Sequence, residues 1–250
     1  MEKCQSMRLY SRAAAKNVMS VGRNHFLVMC GFILCLAVSN SVILLYDAVI
    51  ALVLGTSTLA LDAVGFFLSF LVTSPMYIGL LRMCYLAVRG ERIEVSCLLS
   101  EYSDAGRMRA AVCIALVRTF FTGLLFAVSD FAAKYALSGI GFEYDFADLP
   151  VLAAALFIAI IFSGSLKTLF LLPFAFFASN ESGKSTFAVS RRAAKHEFFE
   201  ISLFNLGFVG LLILSLLTFG ILFFVYLVPL YLFSSAALAN MLINNELNEK

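Results

Sequence analysis

Two cations stand inside apolar runs where a charge is costly: Arg118, between Ala110 and Phe131, and Lys167, between Val151 and Phe177. If both runs are membrane-spanning helices, the two lie about 13 and 15 Å from the same face of the bilayer, at 1.5 Å of rise per residue. A bare cation at such depth costs about 2.5–3.5 kcal/mol on insertion scales, so it usually faces the protein interior or a wet cavity. The chemistry open to this pair is binding. Arg118 and Lys167 could line a positively charged cavity that faces the cytoplasm and takes an anionic or zwitterionic ligand. The alternative is that both stems snorkel to the inner headgroups.

Three prolines also interrupt apolar runs: Pro75 in Pro75-Met76-Tyr77-Ile78-Gly79, Pro173 in Pro173-Phe174-Ala175-Phe176, and Pro229 in Pro229-Leu230-Tyr231-Leu232. Each removes one backbone hydrogen bond and favours a kink. They are candidate helix kinks, formed either for packing or as broken helices around a transport site.

Catalytic chemistry finds little footing. His25 and His196 are the two histidines, and neither H-E-x-x-H nor G-x-S-x-G occurs. Asp47 and Asp62 could meet across a hairpin, but they read as hydrated residues near the outer interface. Ser182-Gly183-Lys184-Ser185-Thr186 ends like a phosphate-binding loop, yet the first glycine of that pattern falls at Ala178 and the string follows an apolar run rather than a strand. The cysteines (Cys4, Cys30, Cys35, Cys84, Cys97 and Cys113) lack metal-ligand spacing and read as reduced, packed thiols. No enzyme activity, metal, cofactor or nucleic-acid partner is expected. Membrane lipid is the expected partner, with a membrane or cytoplasmic protein as a second.

The elements that position these residues follow from composition. Of 250 residues, 62% are hydrophobic and 14% charged, with 26 Phe and no Trp. Soluble domains are about 25% charged, and one core of this size could not hide so much apolar surface from water. A bilayer can. Spans of about 20 apolar residues are expected at roughly 26–54, 63–88, 110–131, 151–177, 201–219 and 221–243. The last two come from dividing the overlong run Ile201–Ile243 at a turn near Gly220. The fold class is therefore an all-α, polytopic bundle of six transmembrane helices, with residues 25–243 as its membrane domain and 244–250 as a tail. About 24 polar-to-amphipathic residues precede the first span, unlike a cleavable signal peptide.

Orientation follows from Lys and Arg. The N-terminal segment carries Lys3, Arg8, Arg12, Lys16 and Arg23; the second-to-third connection carries or is flanked by Arg82, Arg89, Arg92, Arg107 and Arg109; the fourth-to-fifth carries Lys184, Arg191, Arg192 and Lys195. The alternate connections hold one basic residue, Lys134, beside Asp130, Glu143, Asp145 and Asp148. The expected topology places both termini in the cytoplasm and the protein in the cell membrane. Two segments read as amphipathic helices on the inner interface: residues 1–24, with Arg8, Arg12 and Lys16 four residues apart, and Ser185–Glu200, capped by Ser185 or Thr186.

Ser74-Pro75-Met76-Tyr77-Ile78-Gly79-Leu80, followed by Arg89-Gly90 and Val95-Ser96-Cys97-Leu98-Leu99, resembles an element of an uncharacterised bacterial multi-pass family, the domain of unknown function nine-seven-five. Ser190 before a basic helix, Phe204–Gly210, Thr218-Phe219-Gly220-Ile221 and Pro229-Leu230-Tyr231 extend the resemblance over most of the chain. Pro173-Phe174 departs from it, where that family tends to carry proline-glycine. The resemblance implies a six-span fold and supplies no activity. Arg118 and Lys167 at matching depth beside proline-broken helices make the expected function a transporter-like or permease-like protein, or the membrane partner of an export system. The alternative is a non-catalytic scaffold or regulatory subunit acting through its basic inner-face helices.

Overall fold

A computed structural model describes residues 2–54, 59–138, 155, 158–160, 162–182, 185–195, 197–218 and 220–248. Among these, every regular element is helical. The elements are α1 (Glu2–Ser20), α2 (Gly22–Leu54), α3 (Leu59–Val88), α4 (Ser96–Leu99) with a 3-10 turn at Ser100–Tyr102, and α5 (Ala105–Ser138). A 3-10 turn at Ser163–Leu166 leads into α6 (Lys167–Ser182), followed by α7 (Thr186–Ala193), α8 (Phe198–Leu206), α9 (Val209–Leu217), a π turn at Phe223–Leu227 and α10 (Val228–Asn248).

Five helical stretches are long and apolar enough to cross a membrane: Gly22–Leu52, Leu61–Val88, Ala105–Tyr135, Phe198–Ser215 and Phe223–Asn245. The 31 residues of the first and third would run about 46 Å as straight helices, well beyond a hydrocarbon core of about 30 Å. Those helices must tilt or project past the bilayer. Ser163–Ser179 is a shorter apolar stretch. The expected span at 151–177 lies partly outside the described residues, and its described part is not one uniform α-helix: it tightens at Ser163–Leu166 before α6 begins.

Burial divides the helices into two kinds. The most apolar window of Phe223–Asn245 is 78% buried, against 17% for those of Gly22–Leu52 and Ala105–Tyr135. So α10 is the central helix, while α2 and α5 turn Leu44, Leu45, Leu52, Phe120 and Phe131 outward. A bilayer is the solvent such surfaces require. Within α3, Ser74, Pro75 and Met76 begin an almost continuously buried stretch, and the same change comes at Phe170 in α6 and at Leu227 ahead of α10. All three prolines are buried and lie close to these transitions. Pro75 and Pro173 are accommodated inside continuous helices. Pro229 follows the π turn, where the Val228 N–H reaches back to the Phe223 carbonyl; widening the helix there accommodates a residue with no N–H of its own.

Aromatic side chains fill the interior. Tyr85 of α3 meets Phe174 and Phe177 of α6 at 6.2 and 5.9 Å between ring centroids, and Phe170 meets Phe204 of α8 at 6.0 Å. Tyr231 of α10 lies 5.9 Å from Phe204 and 5.2 Å from Phe208. These contacts set the start of α10 against the end of α8, across the turn at Gly220. Gly220 has φ +79°, a conformation that disfavours a Cβ. Between α2 and α3 the hydroxyls of Ser39 and Ser69 lie 2.7 Å apart, the kind of interhelical hydrogen bond worth about 0.6–2 kcal/mol in lipid.

The segment after α3 does not hang free. It climbs back along the helix, so that the Leu98 carbonyl sits where a Cβ on Gly79 would be, and the Tyr102 hydroxyl donates to the Val72 carbonyl. Glu101 is fully buried there. Its Oε1 is shared by Arg82 Nη1 at 3.3 Å and Arg107 Nη2 at 2.9 Å, which ties α3 to the start of α5.

Two local expectations are corrected. The basic stripe of the N-terminal helix is not wholly free for headgroups: α1 packs on α10, Ser11 and Ala15 are fully buried, and the Arg12 guanidinium stacks 4.9 Å from the Phe208 ring. Cation–π attraction and burial of the arginine stem outweigh hydration there. The inner-face helix expected over Ser185–Glu200 ends at Ala193, and a new helix starts at Phe198. Ser185 occupies the N-cap position without a side-chain cap bond, while Thr186 instead pairs its hydroxyl with Ser179 at 2.7 Å. The sequence pattern ran on because Phe198 and Phe199 continue the apolar content after the turn.

Candidate functional site

A cavity of about 550 Å³ opens between α3, α5, the 3-10 turn, α8 and α10. That is within the range of ordinary small-molecule sites, about 300–1,000 Å³. Its walls are mostly apolar, built from side chains such as Phe126, Leu125, Leu212 and Leu232. The polar residues arrive from five separate elements. Arg118 and Thr122 lie one turn apart on one face of α5. Tyr77 comes from α3 just past Pro75, and Tyr231 from α10 just past Pro229. Ser163 opens the 3-10 turn, and Asn205 sits at the end of α8, where the helix breaks at Gly207-Phe208.

Three of these groups form a directed chain. The Tyr231 hydroxyl donates to Asn205 Oδ1 at 3.2 Å, Asn205 Nδ2 donates to Ser163 Oγ at 2.8 Å, and Ser163 donates to the Ile160 carbonyl at 2.6 Å. The adjacent Gly164 N–H donates to Ser202 Oγ at 3.0 Å. These bonds keep the 3-10 turn against α8, because buried polar groups without partners would each cost about 1–3 kcal/mol.

Arg118 is different. Its guanidinium lies 5.8 Å from the centre of the Tyr77 ring. Its Nη1 is buried and has no hydrogen-bond partner among the described residues. None of the cavity-lining residues is acidic, and Arg118 is the one charged residue among them. A ring face offsets part of a cation's desolvation, about 0.5–2 kcal/mol, which falls short of what an ion pair in the same place could supply. Among the described residues, no acidic group on the cavity wall compensates this positive charge.

Lys167 falls at the first residue of α6. Its neighbours Leu166 and Leu169 line the cavity, but Lys167 does not. The structure thus does not bring the two sequence-marked cations together. Of the prolines, Pro75 and Pro229 bear on the site: both stand two residues before a cavity tyrosine, in Pro-x-Tyr. Pro173 has no such tyrosine and serves the aromatic core through Phe174. Sequence reasoning missed Tyr77, Ser163, Asn205 and Tyr231. The repeated Pro-x-Tyr was one available signal. Asn205, the one amide between Ile201 and Leu217, was another.

Other marked groups stay apart from the cavity. Asp47 is exposed on α2. Cys30, Cys35, Cys84, Cys97 and Cys113 are free thiols. The string Ser182–Thr186 lies partly outside the described residues, as does His196. No cluster of three or more His, Cys, Asp or Glu suited to a metal occurs among the described residues. Compared with known proteins, the chain matches no family model, no curated protein and no solved structure.

Proposed function

We propose that this chain is a transporter-like or permease-like protein of the cell membrane, with six spans, both termini in the cytoplasm, and a ligand cavity entered from the cytoplasmic side. The observation that carries this reading is Arg118, a lone charge on the wall of a mostly apolar cavity among helices long enough to cross a bilayer. Residues 151–177 would supply the remaining span. The apolar run there supports that count, and the Lys and Arg bias supports the orientation. The reading assigns no catalytic step to the chain. The scaffold alternative has less support, because the N-terminal helix it would use as a docking element is already held by α10 and Phe208.

Thiol accessibility tests the proposal. Thr122→Cys is expressed with the native cysteines retained, and right-side-out and inside-out vesicles are treated with a charged, membrane-impermeant methanethiosulfonate. Peptide mass spectrometry then reads modification at position 122. Modification in inside-out vesicles is the expected result. Modification from the outer face alone, or from neither face, contradicts the reading.

A further inference from the structure

We infer that the cavity takes an amphiphile with an anionic head, its carboxylate or phosphate pairing with Arg118 and an alkyl chain lying along the apolar wall. The inference rests on the proposed cavity function and names the ligand class of that same site. Three observations carry it. The walls are mostly apolar, so a small hydrated anion would lose its water to surfaces that give nothing back. The one charge is a guanidinium, a permanent cation whose fork of donors matches two-oxygen acids. And three of the polar wall groups are already engaged: Tyr231, Asn205 and Ser163 satisfy one another along a chain that ends on the Ile160 carbonyl, while Thr122 and Tyr77 add only neutral hydroxyls to the wall. Arg118 keeps an unmet donor: its side chain lines the cavity, and its buried Nη1 has no hydrogen-bond partner among the described residues.

The wall chemistry argues against the other ligand classes. A cationic amphiphile would meet Arg118 with like charge, and no cavity-lining acid is present to offset it. A neutral sugar or polyol would bring several hydroxyls to a surface with few open acceptors. An anionic head on an apolar tail satisfies both the charge and the wall. Such a molecule can come from the bilayer itself or from free solution, and the chemistry at Arg118 is the same.

The test uses the purified full chain in phosphatidylcholine nanodiscs. The probe is an alkyl carboxylate with a dansyl group on its chain, compared with dansyl-alkyl probes bearing a trimethylammonium or an uncharged hydroxyl head. Saturable binding of the carboxylate, displaced by an alkyl phosphate, is expected. Arg118→Gln should weaken it at least about tenfold, roughly 1.4 kcal/mol. Arg118→Lys should retain part of it, and Lys167→Gln should leave it unchanged. Repeating the titration in phosphatidylglycerol discs separates the sources: suppressed probe binding assigns the natural ligand to bilayer lipid, and undiminished binding assigns it to a free amphiphile, with the class upheld in either case. Equal, saturable binding of the hydroxyl probe, insensitive to Arg118→Gln, would overturn the ligand class and leave the cavity reading standing. Saturable binding of none of the probes, in a chain whose unfolding transition is intact, would remove both.

Discussion

Arg118 shows how far one residue can be read from sequence. A cation inside an apolar run was visible at once, because its cost in a bilayer is large whatever the fold. Its partners were not visible. The Tyr77 ring is forty-one positions away in the chain, and nothing in local spacing links the two. Lys167 carried the same signal and sits off the cavity wall, since depth along a helix says nothing of which way that helix is turned. The polar chain makes a separate prediction. Tyr231→Phe removes the donor to Asn205 Oδ1 without changing ring volume, and should cost about 0.5–1.5 kcal/mol, the net worth of a hydrogen bond between half-buried groups. A lowered thermal midpoint in detergent is the expected readout; an unchanged midpoint would mean that the bond adds no stability. Glu101 makes another. Its Oε1 serves two arginines whose side chains are 30% and 31% exposed, while its own side chain is fully buried. Solvent screening on the arginine side discounts the pair, so Glu101→Gln should destabilise by about 1–3 kcal/mol, less than breaking a wholly buried ion pair. A double-mutant cycle with Arg107→Met measures the coupling; additive losses would show that the two do not interact.

At the scale of elements, the sequence signalled apolar runs well and their interruptions poorly. Hydropathy averages over a window, so the breaks at Gly207-Phe208 and Ala194-Lys195 disappear into it. Gly220 was legible because an overlong run must turn somewhere and glycine accepts positive φ. The climb of residues 93–102 along α3 was not legible: its evidence is a tertiary contact, the Leu98 carbonyl against Gly79. That contact can be tested. Gly79→Val would drive side-chain atoms into a backbone carbonyl and should cost about 1–3 kcal/mol through forced displacement. Gly123→Val is the control, since a Cβ there meets nothing within 4 Å. Protease sensitivity near Arg92 should rise in the first variant and not in the second. Equal behaviour of the two would contradict the close approach.

For the whole molecule, the all-helical membrane character was legible from composition alone, because no soluble core could absorb this much apolar surface. The division of labour among helices was not. The runs that form α2, α3 and α10 are all apolar enough to span, yet α10, the least apolar of the three, is central while α2 and much of α3 face outward. In lipid, hydrophobicity no longer distinguishes inside from outside, and packing of small and aromatic residues decides instead. The predicted consequence is directional. Ala236 and Ala239 on α10 are fully buried, so Ala236→Leu should overpack the centre and reduce folded yield. Leu44→Ala on α2, 68% exposed, should change yield little. Detergent-extracted monodisperse protein measures both, and a reversed order would contradict the assignment of α10 as the central helix.

The most direct measurement locates a bound anionic amphiphile. An alkyl carboxylate carrying a diazirine near the end of its chain would be photolysed with the chain in native membranes, and the cross-linked peptides mapped. The account predicts label concentrated on the cavity wall, at Phe126, Leu212 or Leu232, and lost from those positions in Arg118→Gln. Label confined to the outward faces of α2 and α5, at residues such as Leu44, Phe120 and Phe131, and indifferent to Arg118→Gln, would contradict it.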